Sequence, residues 1–207
     1  MATPATYVAR LTVTPGNGEA TVLEERFAVR RDGNVMLADA DLTTLFELRR
    51  LLGEHLATMS MALRNADQIR EQITQAQTAI KLLDELDSAL AEAADSLKKD
   101  IDDIIRTLRG QPARSGQATQ SVPDTVPAPS VQQRLRRAGG INSATALPTE
   151  QERDALESAG PDLQREVDRL NDLLVDRMPA FFRELDEAGV PWTPGRPIRT
   201  SASTGSP

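Results

Sequence analysis

The hydrophobic positions of this chain change period twice, and each change marks an element. Residues 6 to 14 alternate: Tyr7, Ala9, Leu11 and Val13 fall on one side, and Val8, Arg10 and Thr12 on the other. A two-residue period predicts a strand with one buried face. Pro15-Gly16-Asn17-Gly18 follows, a cluster suited to a turn, and then a second alternating run from Thr21 to Arg30. Together they predict a β-hairpin with a longer loop over residues 1–36. Two strands alone are marginal in water. Their apolar face is therefore expected to rest on the downstream helices or on strands that this chain does not contain.

From Leu42 the period becomes three to four. Leu45, Leu48, Leu52, Leu56, Met59, Leu63, Ala66, Ile69, Ile73, Ala76, Ile80 and Leu83 continue into Leu86, Leu90, Ala94, Leu97, Ile101, Ile104 and Leu108, with neither glycine nor proline between Gly53 and Gly110. Asp39 or Asp41 can cap the start. Arg106 and Arg109 suit the end, and Gly110 the left-handed stop. Unbroken, the run would be a helix about 100 Å long. A fold-back into an antiparallel pair over residues 39–110 is expected instead, with its corner at Asp84-Glu85-Leu86-Asp87-Ser88 and Asp87 or Ser88 capping the second helix.

Residues 111–129 have the composition of a linker. Within the connecting stretch 111–147, Val131 to Ala138 predicts a short helix stopped by Gly139-Gly140. A C-terminal helix over 148–190 starts at a capping box, Thr149 with Glu152. Its stripe is Leu156, Leu163, Val167, Leu170, Leu174, Met178, Phe181 and Leu185, ending at Gly189. Pro161 is expected to break or restart this helix after Gly160. Pro179 is expected to kink it, since the carbonyl of Val175 loses its partner. Residues 193–207 have a disordered composition. The fold class is thus mainly α: an N-terminal β-hairpin, then an antiparallel three- to four-helix bundle with long coiled-coil-like helices.

Composition narrows the chemistry more than the architecture. The 207 residues include no cysteine and one histidine, and carry a net charge of -7. A disulfide framework, a thiolate nucleophile and a Cys-type zinc site are excluded. The acidic balance argues against a nucleic-acid binder, and no run of about 18 apolar residues predicts a membrane span. The first 30 residues lack the continuous apolar stretch of a signal peptide. Charge divides by segment. Residues 39–110 hold 9 basic and 14 acidic groups, residues 149–192 hold 5 and 12, and the connector 111–148 is net +3. A basic connector can lie against acidic helices.

No motif carries catalysis. The carboxylate clusters Asp84, Glu85 and Asp87, then Asp100, Asp102 and Asp103, then Glu150, Glu152, Asp154 and Glu157 fit solvated helix faces, and none has the glycine-centred loop of an EF-hand. A di-iron bundle needs Glu-x-x-His twice, whereas the lone His55 follows Glu54 directly. His55 fits a boundary position beside Leu52 and Leu56. Gly16-Asn17-Gly18 is no phosphate loop, and no serine has a histidine in triad context. Phe181, Phe182 and Trp192 could dock a partner, but a core phenylalanine and a second sealing a neighbour explain the pair. Arg134, Arg136 and Arg137 are expected to be solvated, or to contact an acidic partner. No catalytic, cofactor-binding or metal-ligating residue is assigned.

In order, the strand pair Tyr7-Val8-Ala9-Arg10-Leu11-Thr12-Val13 and Phe27-Ala28-Val29-Arg30, the segment Asp39-Ala40-Asp41-Leu42, Ala91-Glu92-Ala93-Ala94-Asp95-Ser96-Leu97, Gln132-Gln133-Arg134-Leu135, Pro148-Thr149-Glu150-Gln151, Met178-Pro179-Ala180-Phe181 and Ala188-Gly189-Val190-Pro191 form a succession. It resembles the C-terminal region of bacterial proteins with sortilin-like (VPS10/BNR-repeat) β-propellers. The resemblance spans about residues 5 to 192 and implies that the hairpin is the last part of an Ig-like module whose remainder lies outside this chain. It further implies an exported or periplasmic setting, and that any substrate chemistry belongs to propellers absent here. No functional residue is carried over.

The expected function is a non-enzymatic accessory or interaction domain, binding a protein partner or a second copy through the hairpin edge and helix faces. A fragment of a glycosyl-hydrolase-like protein is the alternative from another class. An acidic coiled-coil adaptor, with a straight helix through Asp84 to Ser88, is a third.

Overall fold

The computed structural model describes residues 3–16, 18–82, 88–110, 128–142 and 146–190. It is mainly α, with a two-stranded antiparallel sheet followed by a helical bundle. Strands β1 (Ala5–Val13) and β2 (Thr21–Val29) pair with Tyr7 opposite Phe27 and Leu11 opposite Leu23. Four longer helical elements follow: α1 (Asp39–Ile80), α2 (Ser88–Arg109), α4 (Glu150–Asp172) and α5 (Met178–Glu187). The short α3 (Val131–Arg137) lies between α2 and α4.

Helix α1 has 42 residues, about 63 Å at the usual rise, and forms the spine. Its buried Leu45, Leu52, Met59, Ala66, Ile73 and Ile80 recur every seven residues, the repeat that keeps one seam facing a partner helix. Leu48, His55, Ala62, Ile69 and Ala76 fill the second set of seam positions. Neither expected aspartate caps the helix. Ala38 is the N-cap without a side-chain bond, and Asp39 and Asp41 lie within the first turn, where their charge still complements the positive end of the dipole.

Helix α2 returns antiparallel to α1: Gln77 donates to Asp95 at 2.7 Å, and Arg109 pairs with Asp67 at 2.7 Å. As one partner's number rises the other's falls. That turn-back overturns the straight adaptor helix. The corner residues 83–87 lie outside the described residues, and Ser88 is itself the first residue of α2. Gly110 ends the helix at φ 91°, its N–H bonded to the Arg106 carbonyl at 2.8 Å.

Helix α3 opens on a Ser130–Gln133 capping box and passes into a 3₁₀ turn, Ala138–Asn142. Arg49 of α1 holds that turn by donating to the Ile141 carbonyl at 2.9 Å. Helix α4 starts at the Thr149–Glu152 capping box. Gly160 lies against His55 of α1, and further along Arg177 pairs with Asp100 of α2 at 2.6 Å. Helices α1, α2 and α4 therefore run up, down and up around a shared core that includes Leu52, Ile69, Ile101, Ile104 and Leu156.

One proline behaves differently from expectation. Pro161 does not break α4, which is continuous from Glu150 to Asp172. A proline ring disfavours helix at the preceding residue partly through that residue's Cβ, and Gly160 has none. Arg134 of α3 also spans the site, donating to the Ser158 carbonyl and to the Asp162 carboxylate, one on each side of Gly160-Pro161. Before Pro179 the helix widens into a π turn, Leu173–Arg177, in which the Met178 N–H reaches the Leu173 carbonyl. Pro179 then falls in the first turn of α5, where a missing N–H costs nothing.

The π turn corrects the expected stripe. The buried series is Leu156, Ala159, Leu163, Glu166, Leu170 and Leu173, and it then steps by five to Met178. Leu174, expected inside, is 38% exposed, while Leu173 is 1% exposed. Val167 is only partly buried and packs against the core. Glu166 occupies a core position with its carboxylate on Arg169 at 2.7 Å and Arg165 at 3.4 Å. Helix α5 closes at Gly189 (φ 70°), with the Val190 N–H returned to the Leu185 carbonyl at 3.0 Å.

Candidate functional site

Of the two covers expected for the hairpin, the downstream helices are not the one it has. Its apolar side is not buried. Leu11 is 58%, Leu23 59% and Phe27 48% exposed, and Val13 is close to half exposed. Neither strand packs substantially on a helix. The register puts Tyr7, Ala9, Leu11 and Val13 with Leu23, Phe27 and Val29 on one face, interrupted only by Glu25 and Thr21. Tyr7 stacks on Phe27 with ring centroids 6.0 Å apart, and its hydroxyl donates to the Thr3 carbonyl at 2.9 Å. On the opposite face Arg10 donates to Glu24 at 2.6 Å. The turn keeps the Gly18 N–H on the Pro15 carbonyl; Asn17 lies outside the described residues.

At the hairpin's foot, residues 32–35 make a tight turn, with the Asn34 N–H on the Asp32 carboxylate at 2.9 Å. Arg31 donates to the Leu37 carbonyl at 2.6 Å, anchoring the strand to the start of α1. Val35, Met36, Leu37, Leu42, Leu45 and Phe46 line an apolar groove there of about 530 Å³, with arginines at its rim. Met36 is 94% exposed. Most of the exposed large apolar side chains among the described residues lie on the two strands or beside this groove.

The carboxylate clusters do not converge. Asp100 pairs with Arg177, Asp102 with Lys98 and Asp103 with Arg106, so each faces its own cation. Glu152 serves its capping box, and the cluster at 84–87 lies outside the described residues. Among the described residues no three acidic or histidine side chains gather at a metal-like site. His55 sits in the helical seam opposite Gly160, where an added Cβ would lie 3.1 Å from the imidazole Cε1. Its Nδ1 is buried without a hydrogen-bond partner. Phe181 is buried, and Phe182 packs beside the core with ring centroids 6.2 Å apart; Trp192 lies outside the described residues.

Arg134 was expected in solvent and is instead an internal tie. Its side chain is 13% exposed and meets Asp162 of α4. It lines a cleft of about 770 Å³ with Arg106, Arg165, Gly110 and Ser130. The part of the basic connector that is described does lie against an acidic helix. The hydrogen bond from Arg134 holds the Asp162 carboxyl below its ordinary range; burial opposes this, and Arg165 reinforces it.

A depressed folded-state value means that Asp162 adds stability fully above its unfolded value near pH 4, and that this is lost as pH falls through the folded value. Asp162→Asn should therefore cost about 1–3 kcal/mol at neutral pH. In urea melts from pH 8 to 3, the gap between wild type and variant should stay constant down to about pH 5 and narrow below pH 4.

No signal in the sequence marked the Arg134 tie, apart from a Gly-Pro pair inside an otherwise strong stripe and an aspartate directly after it. No family model, no curated protein and no solved structure matches the chain, so the resemblance to sortilin-like proteins rests on its motifs alone.

Proposed function

We propose that this chain is an interaction domain that docks another polypeptide through its N-terminal hairpin, with the helical bundle as a rigid base. The observation that carries the reading is the face formed by Leu11, Leu23 and Phe27, with Tyr7 half-buried against Phe27, which is left in solvent although its alternation is that of a half-buried strand. Contiguous exposed apolar surface marks interaction sites, and a two-stranded sheet offers unpaired backbone groups along both edges. Under the sortilin-like resemblance the partner strands would belong to an Ig-like module.

A photo-crosslinking phenylalanine analogue at Leu11, irradiated in living cells, should give a covalent adduct whose second component is identified by mass spectrometry. The same analogue at Leu82, exposed at the far end of α1, should give none. Absence of an adduct at Leu11 would refute the reading.

A further inference from the structure

The two edges of the hairpin are not alike. Strand β2 carries Glu24, Glu25 and Arg26 along nine residues, whereas β1 carries only Arg10. Charges along an edge oppose strand addition, and an edge without them invites it. The inviting edge is β1.

Resting on the reading above, we infer that the occupant of that edge is a second copy of this chain. Two β1 strands join antiparallel about a two-fold axis at Ala9, giving one four-stranded sheet in the order β2-β1-β1-β2. Register selects this arrangement. With Ala9 opposite the second copy's Ala9, all nine residues of each strand pair, and odd positions meet odd positions. The apolar faces are then continuous. Tyr7 lies opposite the second copy's Leu11, Thr6 opposite Thr12, and Arg10 opposite Val8, so no like charges meet. A slip of one position on each strand in the direction of Arg10 would set Arg10 against Arg10, directly opposed like charges that destabilise.

The same construction on β2 centres on Glu25 and opposes two carboxylates on the apolar face. It is disfavoured for the same reason. Pairing through β1 also removes a weakness of the isolated hairpin, because three or more strands with a hydrophobic face are needed for an independently stable sheet. The edges left outside are the charged β2 strands, which stop further growth. A closed dimer results, with a symmetric interface of the commonest kind.

The chain has no cysteine, so single introduced cysteines report pairing directly. In the purified full chain under mild oxidation, Ala9→Cys should link to itself. Thr6→Cys and Thr12→Cys should each stay unlinked alone and should link when mixed. Glu25→Cys should stay unlinked. Light scattering of the wild type should give twice the 22.5 kDa chain mass. A strict monomer, linkage at Glu25, or linkage at every position alike would overturn the inference. If the purified chain is monomeric while Leu11 is photo-linked to a different polypeptide in cells, the second copy is refuted and the interaction reading stands. If no photo-adduct forms, the reading itself has failed.

Discussion

Leu173→Ala should lower the unfolding free energy by about 3–4 kcal/mol, while Leu174→Ala, one residue on, should cost less than about 1 kcal/mol. Leu173 is 1% exposed and Leu174 38%. Truncating the first loses a full transfer term and leaves a cavity at the junction of α4 with α2, where Ile104 and Leu173 line the same cleft. Truncating the second loses only partial burial. Domains of this kind have about 5–15 kcal/mol in total, so the first variant should melt at a far lower urea concentration with an unchanged slope. The order of the two costs tests the π turn. A regular α-helix through Pro179 would put Leu174 inside and reverse it.

Pro161→Ala should act in the opposite direction, stabilising the chain by about 2–3 kcal/mol. An interior proline costs about 3 kcal/mol relative to alanine, because the ring clashes with the preceding turn and removes one ladder donor. Here that donor would have served the carbonyl of Glu157. Residue 157 is exposed, so water takes up part of the loss, which sets the lower end of the range. Helix α4 is already continuous, and alanine needs no rearrangement to gain the bond.

The same substitution should reveal what Arg134 does. Its guanidinium holds Ser158 and Asp162 on either side of the proline. Arg134→Ala should therefore cost more in the wild type than in the Pro161→Ala background. A double-mutant cycle in urea should show coupling of about 0.5–2 kcal/mol, and strict additivity would mean that the fork does not support the proline turn.

The helical architecture was legible because long aliphatic periodicity leaves few alternatives. The seven-residue recurrence through α1 and the two glycines at φ 91° and 70° follow from period and stop signals alone. The frame of α4 was not legible. Glu166 takes a core position with its charge matched by Arg165 and Arg169, and a pattern based on hydrophobicity passes over a glutamate to its neighbour Val167. The expected stripe is therefore one residue off at Val167 and again at Leu174, agrees at Leu170 between them, and is restored at Met178 by the extra residue of the π turn. Pro161 was misjudged for two reasons: the missing Cβ of Gly160 was readable locally but was taken as a stop, and the Arg134 contacts come from another helix, which no local rule contains.

The interaction surface was half legible. Alternation gave the strands, their facing sides and the unpaired edges, but it could not say that the helices leave the sheet uncovered. A period of two records that one side is apolar, and the presence of a cover is a tertiary fact. The pattern allowed two covers, the downstream helices or strands outside this chain, and the fold excludes the first.

Gly110 and Ser130 nearly touch: a methyl group placed on Gly110 would lie 3.2 Å from the Ser130 hydroxyl oxygen. Two residues twenty apart in the sequence are thus brought almost together. The entropy of closing a flexible segment between fixed ends rises only with the logarithm of its length, so added length between two such points costs little. A fluorescent reporter, an affinity handle or a whole foreign domain inserted between Gly110 and Ser130 would have both of its ends tethered to neighbouring points of the bundle.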